Sequence, residues 1–200
     1  MKLLLFSDLH CDTVAASQLV ERSYNFDVVI CAGDLANCRR RLNLCVDVLR
    51  QIVRPILLVP GNNESFEELV QASAGWKSAH VLHGTGVRID GIDFFGLGGG
   101  IPTTPFGDWS YDFTEQEAAA LLTDCPTGGV LICHSPPKGA VDVASNGKSL
   151  GSTTIRAAVE KRAPTLVVCG HIHASGGQTA TIGPSTVINA GPGGMEWNLV

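Results

Sequence analysis

Two short patterns in this chain have the spacing of metal ligands: Asp8-Leu9-His10 near the start and His171-Ile172-His173 near the end. On an extended segment, residues two apart project to one side, so each pair is expected to converge on one centre or straddle two. Between them stand Gly33-Asp34, Pro60-Gly61-Asn62-Asn63 and a lone His134. Gly33 lets the backbone turn sharply and bring the Asp34 carboxylate inward. Asp34 has two oxygens and can bridge two cations. Asn62 offers a neutral carbonyl oxygen and His134 an imidazole. Asp8, His10, Asp34, Asn62, His134, His171 and His173 are seven donors, too many for one tetrahedral site but suited to two sites that share Asp34. Nitrogen and oxygen ligation without thiolate points to two divalent transition metals, manganese foremost, with Fe, Zn, Co or Ni as alternatives. The residual positive charge of such a pair would attract phosphate even on a protein of net charge -5.

The elements that must position these donors are legible as apolar runs. Leu3 to Phe6, Val28 to Ala32, Ile56 to Val59, Val130 to Cys133 and Leu166 to Cys169 are short and lack polar alternation, as in strands covered on both faces. Each run ends in Asp, Asn or His, and open α/β sheets gather function at the carboxyl ends of their strands. Helices are expected between them: 13–22 capped by Asp12, 38–53, about 66–73 behind a Ser65-x-x-Glu68 capping box, one opened by Thr114-x-x-Glu117, and 152–162. Val87 to Phe94 reads as a hairpin turning at Asp90-Gly91. Two packed sheets with helices outside fit this order. Gly191-Pro192-Gly193-Gly194 reads as a tail leaving the last strand.

Bulk properties narrow the class. The chain has 200 residues, 44% hydrophobic and 16% charged, which suits one folded domain over 1–200. Its acidic balance argues against a general nucleic-acid surface, and Arg39-Arg40-Arg41 is read as the solvated face of a helix. No run approaches the ~18 to 20 apolar residues of a membrane span. The seven cysteines show no metal spacing and are read as reduced, mostly structural thiols. The opening MKLLLFSDLH has too short an apolar run for a signal peptide and reads as a first strand, so the expected location is cytoplasmic. His80 and His83 fall in no pattern, and Ser7 and Ser135 are read as local hydrogen-bonding groups.

The ordered set DLH, GD, GNN, H, GHIH resembles the calcineurin-like metallophosphoesterases, and specifically their compact phosphodiesterase-type members, over residues 8–173. The resemblance implies a four-layer α/β/β/α sandwich of two mixed sheets flanked by helices. It implies that Asp8, His10, Asp34 and His173 hold one metal and Asp34, Asn62, His134 and His171 the other. It also implies phosphodiester hydrolysis by a hydroxide bridging two metal ions about 3.5 to 4 Å apart. Asn63, Asp34 and His10 are then the candidate catalytic residues. The family usually has His where this chain has Asn63, and an amide cannot serve as a general acid at neutral pH. Asn63 is otherwise read as a helix-terminal residue beside the Ser65 cap. Phe106 and Trp109, with Tyr111, lie in a long irregular stretch and either stack on a base or aryl group or cover a core edge. Lys138 either approaches the phosphate or is solvated. Two rival functions remain: a non-catalytic scaffold or binding protein on the same fold, and a phosphomonoesterase or nucleotidase acting on a small phosphoester.

Overall fold

Leu3 and Leu5 point to one face of the first strand and Leu4 and Phe6 to the other, and all four are fully buried. That double burial is why the run shows no polar alternation. A computed structural model describes residues 1–199. Its first sheet contains β1 (Lys2–Phe6), β2 (Val28–Cys31), β3 (Ile56–Leu58), β4 (Ala79–Val81) and β11 (Met195–Asn198), in the order β11-β1-β2-β3-β4. The first four are parallel, and β11 runs antiparallel on the outside of β1. The second sheet contains β5 (Thr85–Ile89), β6 (Ile92–Leu97), β7 (Val130–Cys133), β8 (Leu166–Cys169), β9 (Thr179–Ile182) and β10 (Ser185–Asn189), in the order β5-β6-β7-β8-β10-β9. Here β6, β7, β8 and β10 are parallel, while β5 and β9 are antiparallel edges.

Three apolar cores make four layers. Leu3, Leu5, Ile30, Leu57, Phe94, Ile132 and Val168 fill the space between the sheets. Leu4, Phe6 and Leu58 pack under the helices α1 (Thr13–Ser23), α2 (Leu42–Leu49) and α3 (Phe66–Ala72). Phe95, Leu131 and Val167 pack under α4 (Glu115–Leu121) and α5 (Thr153–Arg162). The fold is thus the expected α/β/β/α sandwich of two mixed sheets flanked by helices.

The helix starts follow side-chain caps. Asp12 accepts from the Val14 and Ala15 amides, and Ser65 and Thr114 each form a complete capping box. The hairpin turns at Asp90-Gly91, as its sequence requires.

Two expectations need correction. Helix α2 covers Leu42–Leu49 and not 38–53. Val53 is 69% exposed beyond it, and Cys38, Arg39 and Arg41 all have positive φ. The apolar spacing of Leu42, Val46 and Leu49 was real, but tertiary bonds claim the residues before it. Asn63 takes the Cys38 amide on its side chain and the Arg39 amide on its backbone carbonyl. The arginine run is therefore a loop and not a helix face, and Arg39 pairs with Glu68 at 2.7 Å. The Gly191-Pro192-Gly193-Gly194 stretch is not a tail. It is a crossing that delivers Met195–Asn198 back to β1 as an edge strand.

Candidate metal centre

Parallel pairing aligns the strand ends. Phe6 lies opposite Cys31, and Cys31 opposite Leu58. The segments that follow β1, β2 and β3 therefore emerge along one edge, and those after β7 and β8, paired in parallel in the second sheet, meet them there: His134 faces the Ala32 carbonyl and the His171 amide donates to Asp8. The segments after β1 and β2 are joined by backbone bonds, with Asp8, His10 and Cys11 donating to the carbonyls of Gly33, Asp34 and Leu35. The expectation that Asp8/His10 and His171/His173 converge through strand alternation is wrong in mechanism. Asp8, His10, Asp34 and His171 all have positive φ, and His173 opens a 3-10 turn, His173–Ser175. Tight left-handed turns bring the donors together, held by the bonds described below.

All seven predicted donors meet. Asp8, His10, Asp34 and His173 form one cluster, and Asp34, His134 and His171 another, with the facing atoms of each within 4.8 Å of one another. Asp34 is common to both. Its Oδ2 lies 3.6 Å from His10 Nε2 and its Oδ1 lies 3.5 Å from His134 Nε2. His173 Nε2 is 3.6 Å from Asp8 Oδ1 and 3.0 Å from His10 Nε2. Asn62 joins the second cluster with Oδ1 3.2 Å from His134 Nε2.

The donor chemistry fits cations. His134 Nδ1 faces the Ala32 carbonyl at 2.7 Å and His10 Nδ1 faces the Ala36 carbonyl at 3.2 Å. A carbonyl only accepts, so both Nδ1 atoms carry the proton and both Nε2 atoms point into the clusters. His134 Nε2 then faces the acceptor oxygens of Asn62 and Asp34, which favours a positive charge at that point. Without a metal a proton supplies it. Burial opposes charging His134, but Asp34 beside it outweighs burial and pushes its pKa up to about 9. Burial, and then the charge of His134, pushes His171 down to about 4, leaving a neutral ring. Burial would raise Asp34 and Asp8. For Asp34 the charges of His134 and His10 prevail, and for Asp8 the His173 bond and the His134 charge. Both stay below the usual carboxylate range.

Glycine is required where backbone meets carboxylate. A Cβ on Gly61 would collide with Asp34 Oδ1, and one on Gly170 would lie 2.5 Å from Asp8 Oδ2.

Asn63, a candidate catalytic contact, has a positioning role in the structure. Its side chain donates to Asp34 Oδ2 at 2.7 Å and accepts from the Cys38 amide at 2.7 Å, while its own amide donates to Asp34 Oδ1 at 2.9 Å. It clamps the shared carboxylate, though it still touches the neighbouring cavity. Ser7 and Ser135 are local supports: Ser7 donates to Asp8, and Ser135 accepts from the Ile101 amide. Lys138 donates to the Ser149 carbonyl, away from the donors. His83 packs with Phe66, Tyr111 and Phe113, so Tyr111 covers a core edge. Phe106 and Trp109 line a cavity of about 750 Å³ together with His10, Asp34, Asn62, His171 and His173.

Several supporting residues escaped sequence reasoning. Glu64 is fully buried and takes the amides of Asp34, Leu35, Ala36 and Gly61 on its two oxygens, tying two donor loops together. Burial, reinforced by Asp34, pushes its pKa up to about 7. Asn189, at the end of β10, donates to the carbonyls of Gly170 and Ile172 and so holds the GHIH turn. It ends an apolar strand as the donors do, a signal that could have found it. Ser110 accepts from the Asn62 side chain at 3.0 Å and donates to Asp112 at 2.8 Å, aiming the Asn62 carbonyl at His134. Nothing in the local sequence marks that relay.

A two-sheet sandwich carrying paired Asp/His/Asn clusters on a shared carboxylate is the architecture of a dinuclear metallohydrolase. A profile of the calcineurin-like phosphoesterase family matches residues 1–175. The chain belongs to that family, whose members are metal-dependent phosphoesterases with dinuclear divalent centres. Among solved structures, TT1561 of Thermus thermophilus superposes with a TM-score of 0.75 at 19% identity, covering 95% of this chain and 88% of that one. A dimetal phosphatase from Danio rerio gives 0.64 at 13% identity over 94% and 86%. Phosphopantetheinyl hydrolase from Mycobacterium tuberculosis gives 0.63 at 15% identity over 95% and 88%. At these identities the likeness is one of fold. No curated protein matches the chain in sequence.

Proposed function

We propose that this chain hydrolyses small phosphodiesters at a centre of two divalent transition metals, manganese foremost. Asp8, His10, Asp34 and His173 would hold one cation, and Asp34, Asn62, His134 and His171 the other. The observation that carries this reading is the pair of donor clusters sharing Asp34, in which imidazole nitrogens and carboxylate oxygens all face inward. When bound, the two cations polarise phosphoryl oxygens and acidify water near neutral pH. The chain contributes orientation. Asn63 fixes both oxygens of Asp34, Ala32 and Ala36 set the tautomers of His134 and His10, and Ser110 fixes the Asn62 amide.

A diester is favoured over a monoester on charge. No Lys or Arg lines the cavity among the described residues. A monoester dianion would call for cationic partners beyond the metals, whereas a diester carries a single negative charge.

Hydrolysis of bis-p-nitrophenyl phosphate and p-nitrophenyl phosphate by manganese-loaded protein tests the proposal. The diester should show the higher kcat/KM. Faster monoester turnover would overturn the diester preference. Two bound metals with no turnover of either compound would make the chain a scaffold on this fold.

A further inference from the structure

The cavity beside the donor clusters is built from two segments that the metal chemistry does not use. Pro102, Pro105, Phe106 and Trp109 come from the long loop before α4, and Ala144 and Leu150 from the loop before α5. Phe106 and Trp109 stack with ring centroids 5.7 Å apart and planes 15° from parallel. Phe106 is 51% exposed and Leu150 45%. Aromatic and aliphatic surface left open beside a polar donor cluster marks a recognition surface.

The platform is held at a set distance from the donors. Asp112 accepts from the Thr104 amide at 2.8 Å, the Thr104 hydroxyl at 2.6 Å and Ser110 at 2.8 Å. Ser110 in turn holds Asn62. The loop that carries Phe106 and Trp109 is therefore bonded to a candidate ligand. Such preorganisation reduces the ordering entropy lost on binding.

We propose that the substrate carries a flat aromatic group on its single phosphate, and that this group enters the slot and stacks on the Phe106–Trp109 pair. The proposal rests on the phosphodiesterase reading and deepens it by naming the substrate class. Stacked rings and prolines present flat faces, which match a planar group better than a flexible chain. A second phosphate would find no cationic side chain among the described residues lining the cavity.

The test uses three singly charged, diester-like competitors: the monomethyl esters of methyl-, octyl- and 1-naphthylphosphonic acid. Inhibition of bis-p-nitrophenyl phosphate hydrolysis is measured in the wild type, Trp109→Ala and Leu150→Ala. The naphthyl ester should compete about tenfold better than the methyl ester, as stacking on an aromatic side chain provides. Both variants should shrink that ratio, and Leu150→Ala does so without touching the stacked pair. In parallel, the naphthyl ester should quench tryptophan fluorescence in the wild type and not in Trp109→Phe. If the diester is hydrolysed but all three esters compete equally, the slot is overturned and the hydrolase reading stands. Equal binding of the octyl and naphthyl esters would overturn the aromatic assignment. Quenching that needs Trp109, in protein that hydrolyses nothing, would support the slot while removing the hydrolase reading.

Discussion

Asn63→Ala removes the clamp on the shared carboxylate, which should weaken both folding and metal binding. Asn63 is 5% exposed, and its amide makes two side-chain bonds. One runs at 2.7 Å to a buried charged oxygen of Asp34, the other at 2.7 Å from the Cys38 amide. A hydrogen bond to a charged group contributes about 1.5–3 kcal/mol and a neutral one about 0.5–1.5 kcal/mol. Water entering from the adjoining cavity would recover part of this, leaving a net loss of about 2 kcal/mol. For a chain of this length that lowers Tm by about 4–8 °C, since each kcal/mol shifts it about 2–4 °C. The freed Asp34 should also bind manganese about 10- to 100-fold more weakly, the usual cost of losing a bond that orients a ligand. Asn63→Asp should do worse in both respects, because it sets a second carboxylate against Asp34. The assays are thermal unfolding in chelator and calorimetric manganese titration. If Asn63→Ala melted like the wild type and bound manganese equally well, the clamp assignment would be wrong. A fall confined to kcat would then return Asn63 to the role of substrate contact.

Asp112→Asn should weaken one of two manganese sites about tenfold by loosening the Ser110 bond that aims Asn62; two unchanged sites in a calorimetric titration would remove Asp112 from the relay. The His83 ring is depressed below 6.5 by burial, against the opposing charge of Glu67, and its Nδ1 accepts from the Gly98 amide at 3.1 Å. Its folded state therefore favours the neutral ring, a contribution that is complete above pH 6.5 and lost as pH falls below it. Urea midpoints followed from pH 7.5 to 5.5 should drop less steeply for His83→Phe than for the wild type, and parallel slopes would contradict this. Because Asn63 carries no transferable proton, kcat for a series of aryl diesters should fall steeply with rising leaving-group pKa; a flat plot would reveal another acid.

The donors were legible because each sits at the end of an apolar strand, and strand runs are encoded locally. Asp8, Asp34, Asn62, His134 and His171 follow β1, β2, β3, β7 and β8 almost at once, so naming the strands named the members of the candidate centre. The capped helices were equally local, since Asp12, Ser65 and Thr114 bond within their own first turns. The start of α2 was not local. Residues 38–41 have helix-compatible side chains, but Asn63, more than twenty positions away, takes the amides of Cys38 and Arg39 instead. The same holds for the return of β11 to β1 across nearly the whole chain. Glu64 and Ser110 belong to this second kind, because Glu64 takes the amides of Asp34, Leu35 and Ala36 and Ser110 accepts from Asn62, partners distant in sequence; Asp112 works within its own loop, on Thr104 and Ser110. Sequence alone thus determined which side chains gather at the candidate centre and which strands deliver them. Tertiary structure decided how they are aimed, that Asn63 grips Asp34, and that a stacked aromatic pair stands beside the donors. Hydrophobic patterning is written along the chain, whereas the bonds that orient a site form between segments distant in sequence, and only folding sets their geometry.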